Sequence, residues 1–258
     1  MLVALTREPS ASLDAGERTF RARAPIDLEL VRLQHQEYRR ALSECGAHVV
    51  TLPALDDLPD AVFIEDVAIV LDEVALLLPM GVDSRREEPG QVAEEIARWR
   101  EIVGLPEDTR AEGGDVVRLG RTLYVGRTGR TDESGIAALA AAVSPRGYRV
   151  IPVDVTGCLH LKSACTALDE ETILVNPAWV NASAFEAERA IEVWADEPGA
   201  ANALQAGGSV LLQAGCPRTL ERVAQAGFEA RAVDVGEFAK AEGSLTCLSL
   251  VFESKGTA

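Results

Sequence analysis

VAIVLDEVALLL (Val67–Leu78) reads as two short apolar arms around a polar centre, with Asp72-Glu73 supplying the turn. Arms of that length joined by a tight polar turn form an antiparallel hairpin. The pattern returns along the chain without identity of sequence. VVRLGRTLYVG (Val116–Gly126) turns at Gly120, CTALDEETILVN (Cys165–Asn176) turns on acids, and ALQAGGSVLLQA (Ala203–Ala214) turns at Gly207-Gly208. A fifth hairpin pairs TCLSLVF (Thr246–Phe252) with LVALT (Leu2–Thr6), which brings the two ends of the chain together. Repetition at about fifty residues is close to the period of propeller blades.

Amphipathic helix patterns lie between the hairpins. Val92, Ile96, Trp99 and Val103 fall on one helical face, GIAALAAAV follows Asp132 and stops at Pro145 and Gly147, and PRTLERVAQAG opens with Pro217 and stops at Gly227. Short β-branched runs follow: HVVTL, YRVIPVDV, AIEVWAD and FEARAVDV. Alternating helices and strands also suit a doubly wound parallel sheet. The hairpins decide against it, because parallel strands need crossovers of a dozen residues or more. The expectation is an α/β ring of five ββαβ units about a pseudo-fivefold axis, one domain over residues 1–258.

With 47% hydrophobic and 26% charged residues the chain is an ordinary globular protein. No apolar run reaches the length of a membrane helix, and the N-terminus meets charge and proline too early for a signal peptide. Five cysteines without a C-x-x-C pair suit a reducing compartment, so the expected location is cytoplasmic. A formal net charge of -16 argues against nucleic acid as a partner. It is compatible with a cationic ligand, although excess negative charge is more often just a solvated surface.

Immediately before the first strand of each hairpin stands a reactive or polar residue: Glu65-Asp66, Glu112 in EGGD, His160, Asn202 and Cys247. Equivalent positions around an axis converge, so a thiol, an imidazole and carboxylates would share a central pocket. Each has a bland alternative. Cys247 could be a buried strand residue, His160 a satisfied core histidine, Gly113-Gly114 a tight turn and Asp115 a turn residue. Acids inside AVFIEDVAIV are harder to explain away, because carboxylates are seldom buried unpaired. No G-x-S-x-G, Walker, dinucleotide or H-E-x-x-H motif occurs, and Cys158 with His160 lacks a second pair at zinc spacing.

Several motifs in order resemble the dimethylarginine dimethylaminohydrolase family of the pentein, or guanidine-modifying, superfamily. They are PDAVFIED (Pro59–Asp66), SRRE (Ser84–Glu87), EGGDV (Glu112–Val116), GRTGRT (Gly126–Thr131), LHLKS (Leu159–Ser163), AANAL (Ala200–Leu204) and GSLTCLSL (Gly243–Leu250). The resemblance implies a five-bladed α/β-propeller and hydrolysis of methylated arginine to citrulline, with no metal or organic cofactor. It makes Cys247 the nucleophile, His160 the general acid/base and Glu112 the carboxylate that holds His160. Glu65 and Asp66 would grip the guanidinium, Arg85 and Arg130 the substrate carboxylate, and Asp60 the α-amino group. An alternative for Arg85 is a salt-bridged surface helix start.

Two departures concern substrate fit: Glu17 stands in the lid-like segment SASLDAGERTF where relatives can carry leucine, and Ala241 stands where relatives can carry a larger aliphatic residue. Arginine deiminase or amidino transfer would use the same residues, and a non-catalytic binding protein of the fold would need none of them. A homodimer is left open. Cys45, Cys158, Cys165 and Cys216 are expected to be packing residues.

Overall fold

The computed structural model describes residues 1–254, so the last four positions of the expected 1–258 domain lie outside the described residues. The chain begins with β1 (Leu2–Arg7), α1 (Leu28–Glu44) and β2 (His48–Leu52), then β3 (Ala68–Val70), β4 (Val74–Leu77), α2 (Gly90–Ala97) and β5 (Glu101–Gly104). It continues through β6 (Val116–Leu119), β7 (Thr122–Arg127), α3 (Glu133–Val143) and β8 (Arg149–Asp154). Next come the single turn α4 (Leu161–Ala164), β9 (Cys165–Ala167), β10 (Thr172–Val175) and β11 (Arg189–Glu192). The last elements are β12 (Leu204–Ala206), β13 (Ser209–Gln213), α5 (Pro217–Gln225), β14 (Glu229–Val233), α6 (Gly236–Lys240) and β15 (Leu250–Glu253).

These strands form five sheets of three, β3-β4-β5, β6-β7-β8, β9-β10-β11, β12-β13-β14 and β15-β1-β2. In each, the first two strands are an antiparallel pair and the third runs parallel to the middle one. Leu2 faces Glu253 and Leu5 faces Leu250, so the last blade is built from both chain ends. The ring of ββαβ units expected from the hairpins is the fold observed.

Hydrophobic burial follows the same plan. The middle strands are almost wholly buried, whereas the third strands are largely exposed or half-buried. Core side chains therefore fill the wedges between neighbouring blades, as Leu76 and Leu78 do against Leu123 and Val125. Gly207 and Gly208 both have positive φ, 54° and 86°, the pairing required by a type I′ hairpin turn. Asp132 caps α3 by accepting Gly135 N–H.

Three local expectations are corrected. The helix over Val92–Val103 stops at Ala97, and Val103 belongs to β5, where it pairs with Leu76. Val92, Ile96 and Trp99 pack in one cluster and Val103 in the neighbouring one with Leu76, so the helical spacing ends with the helix. The third blade has no α-helix between β10 and β11, only a 3-10 turn at Ala182–Ala184 held by Asn181. TCLSLVF is likewise strand only from Leu250, because Thr246–Leu248 forms a 3-10 turn. Among the described residues no helix is long and apolar enough to cross a membrane.

Candidate active site

A short helical turn precedes the first strand of every blade: Ile64–Val67, Gly113–Asp115, Leu161–Ala164, Pro198–Ala201 and Thr246–Leu248. These turns point into the axis and carry, or directly adjoin, the residues expected to converge. Glu112 and His160 occupy the positions immediately before their turns, and Cys247 lies within its own.

Glu112 is fully buried and its Oε2 lies 2.8 Å from His160 Nε2. Its Oε1 accepts Gly81 N–H at 3.0 Å and faces Arg130 Nη1 at 3.3 Å. Burial disfavours this carboxylate, but the hydrogen bond and charge of His160, with Arg85 and Arg130, lower its pKa to about 2. The partner moves the other way. Burial disfavours the His160 cation, yet Asp66, Asp115 and Glu112 outweigh it and raise the imidazole to about 9. The pair is therefore carboxylate and imidazolium at neutral pH.

Gly114 makes this approach possible, since a Cβ there would stand 2.7 Å from both Asp66 Oδ1 and His160 Nδ1. The glycine pair of EGGD serves the site as well as the turn. Asp115, which the sequence left as a turn residue, is fully buried and accepts from Thr128 Oγ1, Thr131 Oγ1 and Leu161 N–H at 2.7, 2.7 and 2.9 Å. It ties the Arg130 loop to the turn that begins at His160. Burial raises its carboxyl to about 6 despite His160 and its hydrogen-bond donors.

Cys247 is partly accessible. Burial pushes its thiol up, and the nearby carboxylates of Glu65 and Asp66 push it further, which favours the thiol over the thiolate. Asn202 fixes the turn by accepting Thr246 N–H at 3.0 Å and donating to Thr246 Oγ1 at 3.0 Å. Tyr38 braces the other side, donating to the Leu245 carbonyl at 2.8 Å with Ser249 Oγ at 2.6 Å. Asn202 comes from the fourth blade and was among the residues expected to converge, whereas Tyr38, on α1 of the same blade as Cys247, lies 207 residues away from Leu245 and carries no signal of this contact in the sequence.

Apart from Glu65 and Glu112, every expected site residue lines one small pocket with Cys247: His160, Asp66, Asp60, Arg85, Arg130, Glu17 and Ala241. Glu65 differs from Asp66. Its two oxygens accept from Lys162 Nζ at 2.6 Å and Thr246 Oγ1 at 2.5 Å, and it borders a separate chamber of about 780 Å3 that also meets Lys162, Thr246, Asp72 and Arg118. Adjacent residues in a tight turn project in different directions, which spacing alone does not resolve.

Arg85 is a buried hub rather than a surface residue. Its Nε and Nη2 donate to Glu88 at 3.0 and 2.8 Å, and Nη1 donates to Asp66 Oδ2 at 2.7 Å. Among the described residues Arg130 makes one side-chain hydrogen bond, to Glu112, and keeps more donors free. Glu88 escaped notice because it sits in a run of charges; burial raises it to about 7 although Arg85 pulls it down.

Asp66, Glu112 and His160 offer ligand atoms within 4.8 Å of one another, enough to consider a cation. Each is otherwise engaged: Asp66 with Arg85, Glu112 with Gly81 and Arg130, and His160 with Glu112. Two guanidinium groups at the same place disfavour a metal ion. The remaining cysteines pack as expected: Cys45, Cys165 and Cys216 are buried in apolar clusters, and Cys158 is partly buried with its thiol donating to the His160 carbonyl.

Comparison with known proteins agrees with this architecture. The family profile "N,N dimethylarginine dimethylhydrolase, eukaryotic" matches residues 4–191. The N(G),N(G)-dimethylarginine dimethylaminohydrolase of Streptomyces coelicolor is 41% identical over 249 residues, covering 96% of this chain and 95% of that protein. The enzyme of the same description from Pseudomonas aeruginosa is 30% identical, covering 96% and 98%. A crystal structure of that Pseudomonas protein, a cysteine-to-serine variant complexed with citrulline, superposes with a TM-score of 0.90 at 28% identity over 96% of this chain and 98% of the other. Five blades, their inward turns and these likenesses agree, and the chain belongs to the dimethylarginine dimethylaminohydrolase family of hydrolases.

Proposed function

We propose that the protein hydrolyses Nω-methylated arginine, asymmetric dimethylarginine or monomethylarginine, to citrulline and the corresponding methylamine. The observation that carries this reading is the meeting of Cys247, His160 and Asp66 in one pocket, with Glu112 at 2.8 Å from the imidazole. A guanidinium remains protonated at any accessible pH, so its binding site must offset a buried positive charge. Asp66 faces that charge directly, Glu65 adds its field from beside Cys247, and Arg130 with Arg85 receives the substrate carboxylate. Asp60 holds the α-amino group, while Glu17 and Ala241 bound the space around it.

The charge of the substrate activates the nucleophile. Burial, with Glu65 and Asp66, disfavours ionisation of Cys247; a bound guanidinium offsets the two carboxylates and places a cation beside the sulfur, so the thiol proton is lost to solvent and the thiolate is favoured. Sulfur attacks the guanidinium carbon and forms a neutral tetrahedral adduct. Imidazolium His160 gives its proton to the methylated nitrogen, the C–N bond breaks, and dimethylamine or methylamine departs from a Cys247 thiouronium. Neutral His160 then takes a proton from water as the hydroxyl adds to the same carbon. Expulsion of Cys247 thiolate and loss of the oxygen-bound proton to solvent leave citrulline. Glu112 keeps the imidazole oriented and stabilises its charged form throughout.

All five cysteines are unpaired, which supports the cytoplasm as the working compartment. Acid-quenching the protein during turnover of asymmetric dimethylarginine and weighing its tryptic peptides tests the mechanism. A citrulline-forming adduct on the peptide from Ala241, with the added mass of the thiouronium carrying the amino-acid chain, is the expected result. Turnover with no such adduct, by a variant lacking Cys247, would refute nucleophilic catalysis.

A further inference from the structure

The pocket beside Cys247 encloses about 20 Å3, room for about one water molecule and far too little for a guanidino amino acid. Its cover must move to admit substrate. Leu13 is fully buried and roots that cover, whereas residues 19–25 are exposed and Phe20 leaves 56% of its surface in solvent. Apolar burial therefore does little to seat the outer part. Polar contacts do it instead: Ser84 Oγ donates to Glu17 Oε1 at 2.5 Å, Lys240 Nζ to the Pro25 carbonyl at 3.1 Å, and two carboxylates take the amides between them. Asp60 Oδ2 accepts Glu17 N–H at 2.9 Å, and Gly16 lies so close that a Cβ would stand 2.3 Å from Asp60 Oδ1. Glu242 accepts three successive amides, from Thr19 at 3.0 Å, Phe20 at 2.6 Å and Arg21 at 2.5 Å.

Glu242 sits just beyond α6, after its C-cap Ala241, with φ of 62°. It is the one non-glycine residue with positive φ among the described residues. Helices commonly place glycine at this left-handed position, because a Cβ is disfavoured there. Here glutamate takes it and Gly243 follows, so the backbone accepts an unfavourable conformation that aims a carboxylate at the cover. Carboxylate-to-amide hydrogen bonds are charge-assisted and independent of the side chains in the cover.

We propose that Glu242 is a positioning residue whose carboxylate latches residues 19–21 over the Cys247 pocket, and that release of these amides admits substrate. The proposal rests on the Cys247 pocket being the active site. Glu242 acts on the backbone of the cover and takes no part in bond making.

Glu242→Gly removes every acceptor while suiting the left-handed backbone, and Glu242→Gln keeps the length and one oxygen but not the charge. Amide hydrogen exchange over residues 17–23 and the rate of Cys247 alkylation by iodoacetamide, with Cys247→Ser as the blank, read opening of the cover without any substrate. In Glu242→Gly both should rise on the order of tenfold, with a smaller rise in Glu242→Gln and no change in melting temperature or exchange of the blade strands. Unchanged exchange and alkylation would overturn the latch. Exchange rising around the whole ring would also overturn it, by showing a general structural role. A changed cover in a protein whose parent makes no citrulline would leave the latch intact and remove the functional reading alone.

Discussion

Glu112 and His160 illustrate how two buried charges remain tolerable: each is the other's partner, and both keep further polar neighbours. Glu112→Gln removes one of the carboxylates that raise His160 to about 9. The imidazole then titrates at lower pH, the alkaline limb of the pH–rate profile moves down with it, and turnover falls about 100-fold, the scale of a displaced acid/base. An unshifted limb would separate that limb from His160. His35 is the contrary case. Both its nitrogens are buried without a hydrogen-bond partner among the described residues, between the rings of Tyr38 and Phe238. His35→Leu should stabilise the fold by about 1 kcal/mol, since it removes polar atoms whose desolvation is not repaid; denaturant unfolding measures the difference. Loss of stability would mean that the imidazole has a partner.

At the scale of the element, the inward turns were the legible part. A polar or reactive residue before an apolar strand, repeated around a ring, marked Glu65-Asp66, Glu112, His160, Asn202 and Cys247 as residues that converge, and the family resemblance picked Cys247, His160 and Glu112 from among them. The divergence of Glu65 from Asp66 was not legible, because a single turn of 3-10 helix sends neighbouring side chains to different cavities. Glu88 and Glu242 were hidden by their charged surroundings, and the missing helix of the third blade by an alanine-rich crossover. Supports for these turns are sterically exact. Gly114→Ala places a methyl 2.7 Å from His160 Nδ1 and Asp66 Oδ1, so turnover should fall by more than tenfold while far-ultraviolet circular dichroism stays unchanged. Asp132→Ala instead removes the α3 cap, a side chain that bonds Arg110, Ser134 and Gly135 rather than a pocket residue, and should cost about 1 kcal/mol of stability with kcat retained.

Across the whole molecule these groups pull stability in opposite directions with pH. His160, raised to about 9, contributes stability that is complete below its ordinary 6.5 and lost as pH rises through 9. Glu112, lowered to about 2, contributes above 4.5 and loses its contribution as pH falls toward 2. His35, lowered to about 3 by burial and by Arg39, binds protons more readily in the unfolded chain, so it costs stability as pH falls from 6.5 toward 3. The melting-temperature advantage of His35→Leu should therefore widen over that acid range; a constant advantage would exclude titration of His35 as the cause.

Incubation with asymmetric dimethylarginine, monomethylarginine and arginine in parallel, scored as citrulline beside a Cys247→Ser control, tests the account most directly. Citrulline chiefly from the methylated substrates, and none from the control, is the predicted result. Citrulline from arginine alone would reassign the protein as a deiminase, and equal citrulline from the control would contradict the cysteine mechanism itself.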